Sequence, residues 1–277
     1  LDVQPNTTSI AAKWEEAYRN PIPPKVVPRE QAPCKEVELT DIDLYAEPFP
    51  VPLWHHEDGG PELGTFHGVI TMDPESGWIN MGIYRNEILT KDIIGCIVCP
   101  NRDNAMHFNW WRDQGKPMPV CVALGLDPYL SLVSATAVPR GVNEYDIAGA
   151  LKGAPIDVVK ADLSDLLVPA RAEIILEGEM PTDDFWPTEG PFGEFPGYMG
   201  VSAKDCQYVK IKKVTHRRNP IFQGTYEGRP PNESTTMRSL GRSSALLEHL
   251  RRAGIPGIKD LCVTPAGCAG FHVVVSI

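Results

Sequence analysis

Apolar and polar residues alternate or cluster in short runs along most of the chain. Between Thr65 and Leu176 these runs are β-rich and are separated by turn residues, which is typical of many short strands. A succession of short strands predicts a barrel or sandwich core. The predicted strands are residues 66–72, 78–85, 93–99, 119–124, 156–160, 172–176, 208–216, 221–224 and the final run 271–277.

Helices are predicted where a polar start precedes helix-forming residues and a glycine follows them. Thr7 and Thr8 can cap a first helix that runs to Ala17, whereas Gly115 and Gly153 would end the second and third helices. The predicted helices are residues 7–17, 104–114, 144–151 and 235–252.

Prolines and turns suggest three units along the chain. A proline-rich stretch after the first helix can form neither a helix nor a central strand, so residues 1–50 are predicted to be a helix and an extended connector. After a turn at residues 228–232 the pattern changes, which predicts one domain over 51–231 and the start of another over 232–277. The first residue is not Met and the last strand has no closing turn, so we expect a fragment.

Composition and charge narrow the class of protein. The 277 residues suggest about two domains, and 42% hydrophobic with 22% charged residues is ordinary for a globular protein. A net charge of −10 argues against a nucleic-acid or anionic-membrane partner. Because no apolar run approaches the ~20 residues of a membrane span and no leader is evident, a cytoplasmic location is expected.

Several familiar kinds of site lack support. The sequence contains no GxGxxG, Walker A, GxSxG or HExxH motif. Cys96 and Cys99 form a CxxC without the second pair that a zinc ribbon needs, so a structural role is predicted for both. Residues 55–58, His-His-Glu-Asp, could bind a metal, but they lie beside Gly59-Gly60-Pro61 and are interpreted as a solvated turn.

Two segments carry more specific chemistry. In residues 189–198 a Gly/Pro-rich turn holds Glu189 and Glu194 five positions apart between aromatic neighbours. They are either two exposed turn carboxylates or a partly buried pair with a raised pKa suited to general-acid catalysis. Asn80 and Arg85 would point to opposite faces of a regular strand, but a bulge or bend at Gly82 would let both reach one site.

Taken together, these segments resemble the UbiD family of prenylated-FMN-dependent (de)carboxylases. The resemblance implies an α+β fold with a flavin-binding split β-barrel core and flanking α/β domain segments. Family members are longer at both ends. The matching segments follow the family's order through residues 71–74, 77–85, 119–128, 139–151, 168–173, 189–198 and 225–231.

The resemblance also implies roles for individual residues. Arg85, Glu189 and Glu194 match the family's Glu-Arg-Glu network, with Glu194 as the proton donor. The remaining matches are metal ligands and flavin contacts. Asn80, Glu144 and His107 match ligands of Mn2+ or Mg2+ at the cofactor phosphate, and Ile83, Tyr84, Arg85, Ile97, Val98, Cys99, Arg102 and Asp103 match flavin contacts.

Two of these assignments carry less weight. The segment around His107 matches less tightly, so a histidine simply packed on the helix is the alternative. Residues 133–136 resemble a backbone segment that holds K+ in some relatives. Carboxylate and amide oxygens suit hard divalent cations, and an imidazole tilts the preference towards Mn2+.

The implied function is reversible, non-oxidative decarboxylation of an aromatic carboxylic acid, with or without ring hydroxyl groups. Phe192, Phe195 and Tyr198 surround the two acids and favour a flat ring, and the Glu194-Phe-Pro-Gly run resembles enzymes that act on hydroxybenzoates. The expected partners are the acid, CO2, a flavin prenyltransferase as cofactor supplier and further copies of the chain in a homodimer or larger homo-oligomer. Two alternatives stay open: an FMN-dependent reductase on the same fold and a non-catalytic flavin-binding subunit.

Overall fold

The structure is a computed structural model that describes residues 7–46 and 48–277. None of its helices in these ranges is long and apolar enough to cross a membrane. The α-helices of the described part are α1 (Thr7–Arg19), α2 (Asp103–Asp113), α3 (Pro128–Ser134), α4 (Glu144–Lys152) and α5 (Glu233–Arg252), and the 3-10 helices are Arg29–Gln31, Pro33–Lys35 and Pro265–Gly267.

The strands are mostly short. They are β1 (Lys25–Val26), β2 (Val37–Glu38), β3 (Glu62–Gly64), β4 (Gly68–Met72), β5 (Ile79–Gly82), β6 (Asn86–Thr90), β7 (Ile93–Gly95), β8 (Met118–Leu124), β9 (Asp157–Lys160), β10 (Leu167–Pro169), β11 (Ile174–Met180), β12 (Trp186–Glu189), β13 (Ala203–Cys206), β14 (Tyr208–His216), β15 (Asp260–Val263) and β16 (Val273–Ser276).

Nine of these strands form the main sheet. Its order is β3-β6-β7-β14-β11-β8-β4-β5, and β2 pairs with β14. The pairs are antiparallel, and no pairing among the described residues joins the edge strands β3 and β5 into a closed barrel. Smaller sheets are β1-β9-β10, β12-β13 and β15-β16. The molecule is therefore an α+β protein with several sheets.

The central strands are buried on both faces. In β8, Val120 and Val122 belong to one apolar cluster, whereas the intervening Cys121 and Ala123 belong to another. This is the two-residue period of a strand, with α1, α3 and α4 covering the second face. Trp14 of α1 is fully buried there, so the N-terminal helix is part of the main core.

Helix α5 packs against α1 and also contacts α3. Leu247 of α5, Ala11 of α1 and Leu261 and Val263 of β15 form a third, small apolar cluster. Asn232 caps α5 by accepting from the backbone nitrogen of Thr235, and the Thr235 hydroxyl accepts from the Asn232 backbone nitrogen. This capping box fixes where α5 begins, directly after the 225–231 segment.

Most predicted elements are confirmed to within a few residues. The helices predicted at 7–17, 104–114, 144–151 and 235–252 are all present, and residues 208–216 form β14 as predicted. The side chains of Thr7 and Thr8 lie outside what the structure describes, so that cap stays a prediction. The strand predicted at 221–224 is wrong, because this segment is irregular and Ile221 is largely exposed.

Candidate active site

The site begins where β5 leaves the sheet. Asn80 lies opposite Thr71 in the β4-β5 pair, and regular pairing ends at Gly82. A Cβ at Gly82 would lie 2.7 Å from a ring atom of Tyr84, so a side chain at this position would require the Tyr84 ring to shift. The three residues between Gly82 and β6 are irregular, so Asn80 lies within β5 and Arg85 lies beyond its end.

Arg85 joins two carboxylates of different exposure. Its Nε donates to Glu189 Oε1 at 3.1 Å, and its Nη1 donates to Glu194 Oε1 at 2.8 Å. The Glu189 side chain is 0% exposed, whereas that of Glu194 is 39% exposed. Burial raises the pKa of Glu189, although the neighbouring Arg85 acts in the opposite direction. One guanidinium thus holds a buried acid and an accessible acid in the same network.

The turn that carries Glu194 is held by its own backbone and by a neighbouring loop. Glu194 N donates to Tyr198 O at 2.8 Å. Asp58, whose side chain is fully buried, accepts from Gly193 N at 2.9 Å and from His55 N at 2.8 Å. His55 Nε2 donates to the carbonyl oxygen of Glu227 at 2.6 Å.

The interpretation of residues 55–58 as a solvated turn is therefore wrong for His55 and Asp58, although His56 and Glu57 are exposed. The side chains of His55 and Asp58 tie the turn that carries Glu194 to the segment that precedes α5. Burial of Asp58 is possible because two backbone N–H groups satisfy its oxygens.

A cavity of about 270 Å³ opens beside the exposed acid. Aromatic side chains form part of its wall: Phe192 lies under Arg85, and Phe195 lies under Arg238 with 4.2 Å from the guanidinium carbon to the ring centre. Tyr198 is 75% exposed and does not line the cavity, so its predicted place around the acids is wrong. The lining residues include Thr65, Ile83, Tyr84, Arg85, Ile97, Cys99, Arg102, Phe192, Glu194, Phe195, Glu227 and Arg238.

A second cavity of about 290 Å³ adjoins the first and shares Ile83, Tyr84, Arg102 and Arg238 with it. Asn80 and Glu144 lie on its wall, as do residues 134–136 of the predicted K+ segment. Its other polar residues are mostly basic. The guanidinium groups around it belong to Arg102, Arg140, Arg238 and Arg242, with Asp103 beside Arg140.

The candidate metal ligands fit a divalent cation. Glu144 is the first residue of α4 and accepts from Met81 N at 3.0 Å, and burial raises its pKa to about 8. Asn80 donates from its side-chain nitrogen to the Tyr84 hydroxyl at 3.4 Å. A buried carboxylate beside a carboxamide, with guanidinium groups across the cavity, is suited to a cation that carries a phosphate.

His107 is not among the residues that line this cavity. The Thr71 hydroxyl is 2.8 Å from His107 Nδ1, and Thr71 is the cross-strand partner of Asn80. His107 Nε2 is buried without a hydrogen-bond partner among the described residues, which leaves one ring nitrogen for a ligand. Burial lowers the pKa of His107 to about 4, so the imidazole is neutral and can coordinate a metal.

Of the predicted flavin contacts, one stands apart. Val98 does not line either cavity; its backbone nitrogen donates to Gln207 and its side chain packs against the apolar core. Cys96 is fully buried, as a structural role requires, whereas Cys99 is exposed and lies on the cavity wall. Ile83, Tyr84, Arg85, Ile97, Arg102 and Asp103 line one or both cavities.

Comparison with known proteins places these segments in a family. The model of the UbiD family, 3-octaprenyl-4-hydroxybenzoate carboxy-lyase Rift-related domain, matches residues 25–230. That range contains the Arg85 network, the Asn80 and Glu144 pair and most of both cavities. The chain belongs to the UbiD family.

Relatives of this UbiD-family chain include proteins named as decarboxylases. Phenolic acid decarboxylase of Sedimentibacter hydroxybenzoicus is 38% identical over 246 residues, which cover 86% of this chain and 50% of that protein. The closed form of vanillic acid decarboxylase from the same organism matches with 34% identity and a TM-score of 0.90, over 99% of this chain and 58% of the other.

The UbiD-class enzyme HmfF from Pelotomaculum thermopropionicum, solved as an evolved dimeric form with prFMN, matches with 33% identity and a TM-score of 0.89. The match covers 97% of this chain and 61% of that one. The UbiD-family chain thus spans half the length of the curated relative and about three fifths of these solved ones.

Sequence reasoning missed several groups that line or support the site in this UbiD-family chain. Arg238 and Arg242 could have been predicted from the sequence as a pair, because residues four apart on a helix share a face. Glu62 and Glu87 could not have been predicted, because a charged residue that follows a proline or an asparagine gives no signal that its carboxyl group is buried.

Proposed function

We propose that this chain carries the cofactor- and substrate-binding centre of a UbiD-type carboxy-lyase that reversibly decarboxylates an aromatic acid without oxidation. The observation that carries the proposal is Arg85 bridging the buried Glu189 and the accessible Glu194 at the mouth of an aromatic-walled cavity. Its relatives are decarboxylases of phenolic and vanillic acids.

Glu194 is the proposed proton donor. It is the acid of the pair that faces the cavity, and it is exposed enough to exchange protons with water after each turnover. Arg85 can hold Glu189 ionised while Glu194 carries the proton that replaces CO2 on the ring carbon. The rigid turn from Phe192 to Tyr198 keeps the donor in place.

The proposed cofactor is prenylated FMN, which a flavin prenyltransferase would supply. When bound, this group supplies the electron sink that removal of CO2 from an sp2 carbon requires. The ring would lie in the cavity beside Ile83, Arg85, Ile97 and Cys99, within a split β-barrel core. Its phosphate would lie in the second cavity, which the shared residues Tyr84, Arg102 and Arg238 connect with the first.

Asn80, Glu144 and His107 would hold Mn2+ or Mg2+ at that phosphate, and the backbone of residues 133–136 would hold K+. Such a divalent ion neutralises phosphate charge and fixes its position. Arg140, Arg238 and Arg242 add positive charge on the same wall. The contact between the Thr71 hydroxyl group and His107 Nδ1 orients the imidazole ring and leaves Nε2 as the nitrogen that would bind the metal.

The substrate class follows from the cavity wall. Phe192 and Phe195 favour a flat ring, and the nearby carboxyl group of Glu227 and hydroxyl group of Thr65 can accept hydrogen bonds from ring hydroxyl groups. We expect a hydroxylated benzoic acid.

Residues 51–231 would form the cofactor-binding domain, and residues 1–50 would form its helix and connector. Residues 232–277 would be the start of a C-terminal α/β domain. The whole protein would assemble as a homodimer or larger homo-oligomer.

The test uses the full-length holoenzyme incubated with hydroxybenzoic, heteroaromatic and cinnamic acids in 13C-bicarbonate. Label entering the carboxyl group of hydroxybenzoic acids, together with a bound flavin heavier than FMN by an isoprenoid unit, is the expected result. Unmodified FMN with nicotinamide-dependent reduction would favour a reductase instead. A prenylated flavin without exchange on any acid would favour a non-catalytic subunit.

A further inference from the structure

Three buried carboxyl groups meet behind the pair formed by Arg85 and Glu189. Glu62 and Glu87 lie opposite each other on the antiparallel strands β3 and β6, and Glu189 is the last residue of β12. One oxygen of each lies within 4.8 Å of the other two. All three are buried, so water cannot screen them, and like charges directly opposite across a strand pair are destabilising.

The hydrogen bonds among these groups are unequal. Glu87 Oε2 accepts from Gly190 N at 2.5 Å, and Glu189 Oε1 accepts from Arg85. Glu189 Oε2 and both oxygens of Glu62 have no partner among the described residues. An ionised carboxylate only accepts hydrogen bonds, whereas a protonated one also donates. A single proton on Glu62 would therefore satisfy an oxygen on each of two groups.

We propose that Glu62 is a positioning residue, a neutral carboxylic acid that donates a hydrogen bond to Glu189 and keeps Glu189 ionised against Arg85. The role in turnover rests on the proposed function of Glu194. The charged groups that face Glu62 are Glu189, Glu87, Asp58 and Arg85. Burial, followed by repulsion from Glu189, raises the pKa of Glu62 well above its usual value, and Arg85 only partly opposes this.

The consequence for the proton donor follows from charge balance. When Glu189 is ionised, it compensates the charge of Arg85, and Glu194 is free to carry a proton. Without a donor from Glu62, the buried Glu189 would take up a proton itself. Arg85 would then pair mainly with Glu194 and hold it ionised, so Glu194 could no longer donate at neutral pH.

The test compares Glu62→Gln with Glu62→Leu in the full-length holoenzyme. The amide of Gln can still donate to Glu189, so Glu62→Gln should retain kcat to within about threefold, because a hydrogen bond is preserved. Leu cannot donate, so kcat near neutral pH should fall roughly tenfold, which is the effect of moving the pH–rate profile by about one pH unit. The alkaline limb of its pH–rate profile should move to lower pH, with KM little changed.

A second measurement does not depend on turnover. The infrared spectrum at neutral pH should contain a C=O stretch of a protonated carboxylic acid that disappears in Glu62→Gln. Absence of that band, or equal loss of kcat in both variants, would overturn the proposal, since Glu62 would then be an anion or the ligand of a cation. A protein with the band but without any decarboxylation would refute the proposed function and leave the neutral state of Glu62 standing.

Discussion

Glu194 and Glu189 bind the same guanidinium, yet only Glu194 reaches the cavity. In the variant Glu194→Gln the size and hydrogen bonding are kept and the transferable proton is lost. Because general acid–base groups contribute ~100- to 10,000-fold, we expect turnover to fall at least ~100-fold while flavin binding is unchanged. Steady-state decarboxylation and flavin absorbance check both parts.

Glu179 offers a matched control for this experiment. Its side chain is 41% exposed and pairs with Lys212, which resembles the setting of Glu194 with Arg85, but it lies on β11 away from both cavities. Glu179→Gln should leave turnover at the wild-type level. Near wild-type turnover in Glu194→Gln would assign the proton to another group.

The buried Glu62 also predicts how stability depends on pH. The pKa of Glu62 is raised in the folded state. Its favourable contribution to the free energy of unfolding is therefore complete at pH values below the unfolded-state pKa, and it is lost as the pH rises towards the folded-state pKa. Within that window the group lowers the free energy of unfolding by about 1.4 kcal/mol per pH unit. The side chain in the Glu62→Gln protein does not titrate, so this protein keeps its stability over the same range. The free energy of unfolding of Glu62→Gln relative to that of wild type should therefore rise between about pH 5 and about pH 7.

Urea unfolding at the two pH values measures the difference. Glu30→Gln, at an exposed position, is the control and should track wild type at both. A constant difference between Glu62→Gln and wild type would show that Glu62 is ionised in the fold at both pH values. The other buried acids titrate in both proteins and largely cancel from the comparison.

For individual residues, the sequence indicated the chemistry of the side chain better than its burial and contacts. Arg85, Glu189 and Glu194 were identified as a set because a motif resemblance names residues directly. The burial of Asp58, Glu62 and Glu87 depends on which backbone N–H groups and neighbouring strands reach them, and those contacts are far apart in the chain.

Helix α5 approaches the rest of the molecule through a glycine. A Cβ at Gly241 would lie 2.0 Å from Thr136 Oγ1 and 2.8 Å from its Cβ, so a larger residue must push α5 away from the end of α3. Ala is normally about 1 kcal/mol better than Gly inside a helix. Overpacking costs about 1–3 kcal/mol, so we expect Gly241→Ala to be destabilising or neutral rather than stabilising.

The same displacement should weaken flavin binding, because Arg238 and Arg242 flank Gly241 and line the cavity. Urea unfolding and FMN titration of Gly241→Ala are the measurements. Thr236→Ala, exposed on the same helix, should leave both unchanged. Replacing Thr136 with Gly in the Gly241→Ala background should restore them in part; a Gly241→Ala protein more stable than wild type would contradict the close contact.

Elements with long regular patterns were predicted well, whereas several short ones were missed. The nine residues of β14 alternate between faces along most of their length, and this pattern predicted both ends of the strand correctly. The seven-residue α3 starts at Pro128 and was missed, because a proline marks a turn as readily as a first helical position. Residues 221–224 are β-forming, but they pair with no strand in the described part of the chain.

Over the whole molecule, a net charge of −10 opposes binding of an anionic phosphate, yet the second cavity gathers Arg102, Arg140, Arg238 and Arg242 around Asn80 and Glu144. Two acids, Glu144 and Asp103, lie among these cations, and Asp103 is paired with Arg140. If Glu144 acts through a cation at the phosphate, Glu144→Ala should lose bound Mn2+ and weaken FMN binding by at least ~10-fold, the low end expected for a lost ligand interaction.

Riboflavin, which lacks the phosphate, separates this effect from a general loss of structure. Its affinity should be the same in Glu144→Ala and wild type, since the missing contact acts only on the phosphate. Asp146→Ala is the control, because Asp146 lies on the same turn of α4 but faces a different cavity. Metal analysis and flavin titration of the apo-protein give both quantities. Equal weakening of FMN and riboflavin, or normal FMN affinity without metal, would contradict a cation bridge, because the acid would then act on the fold or not at all.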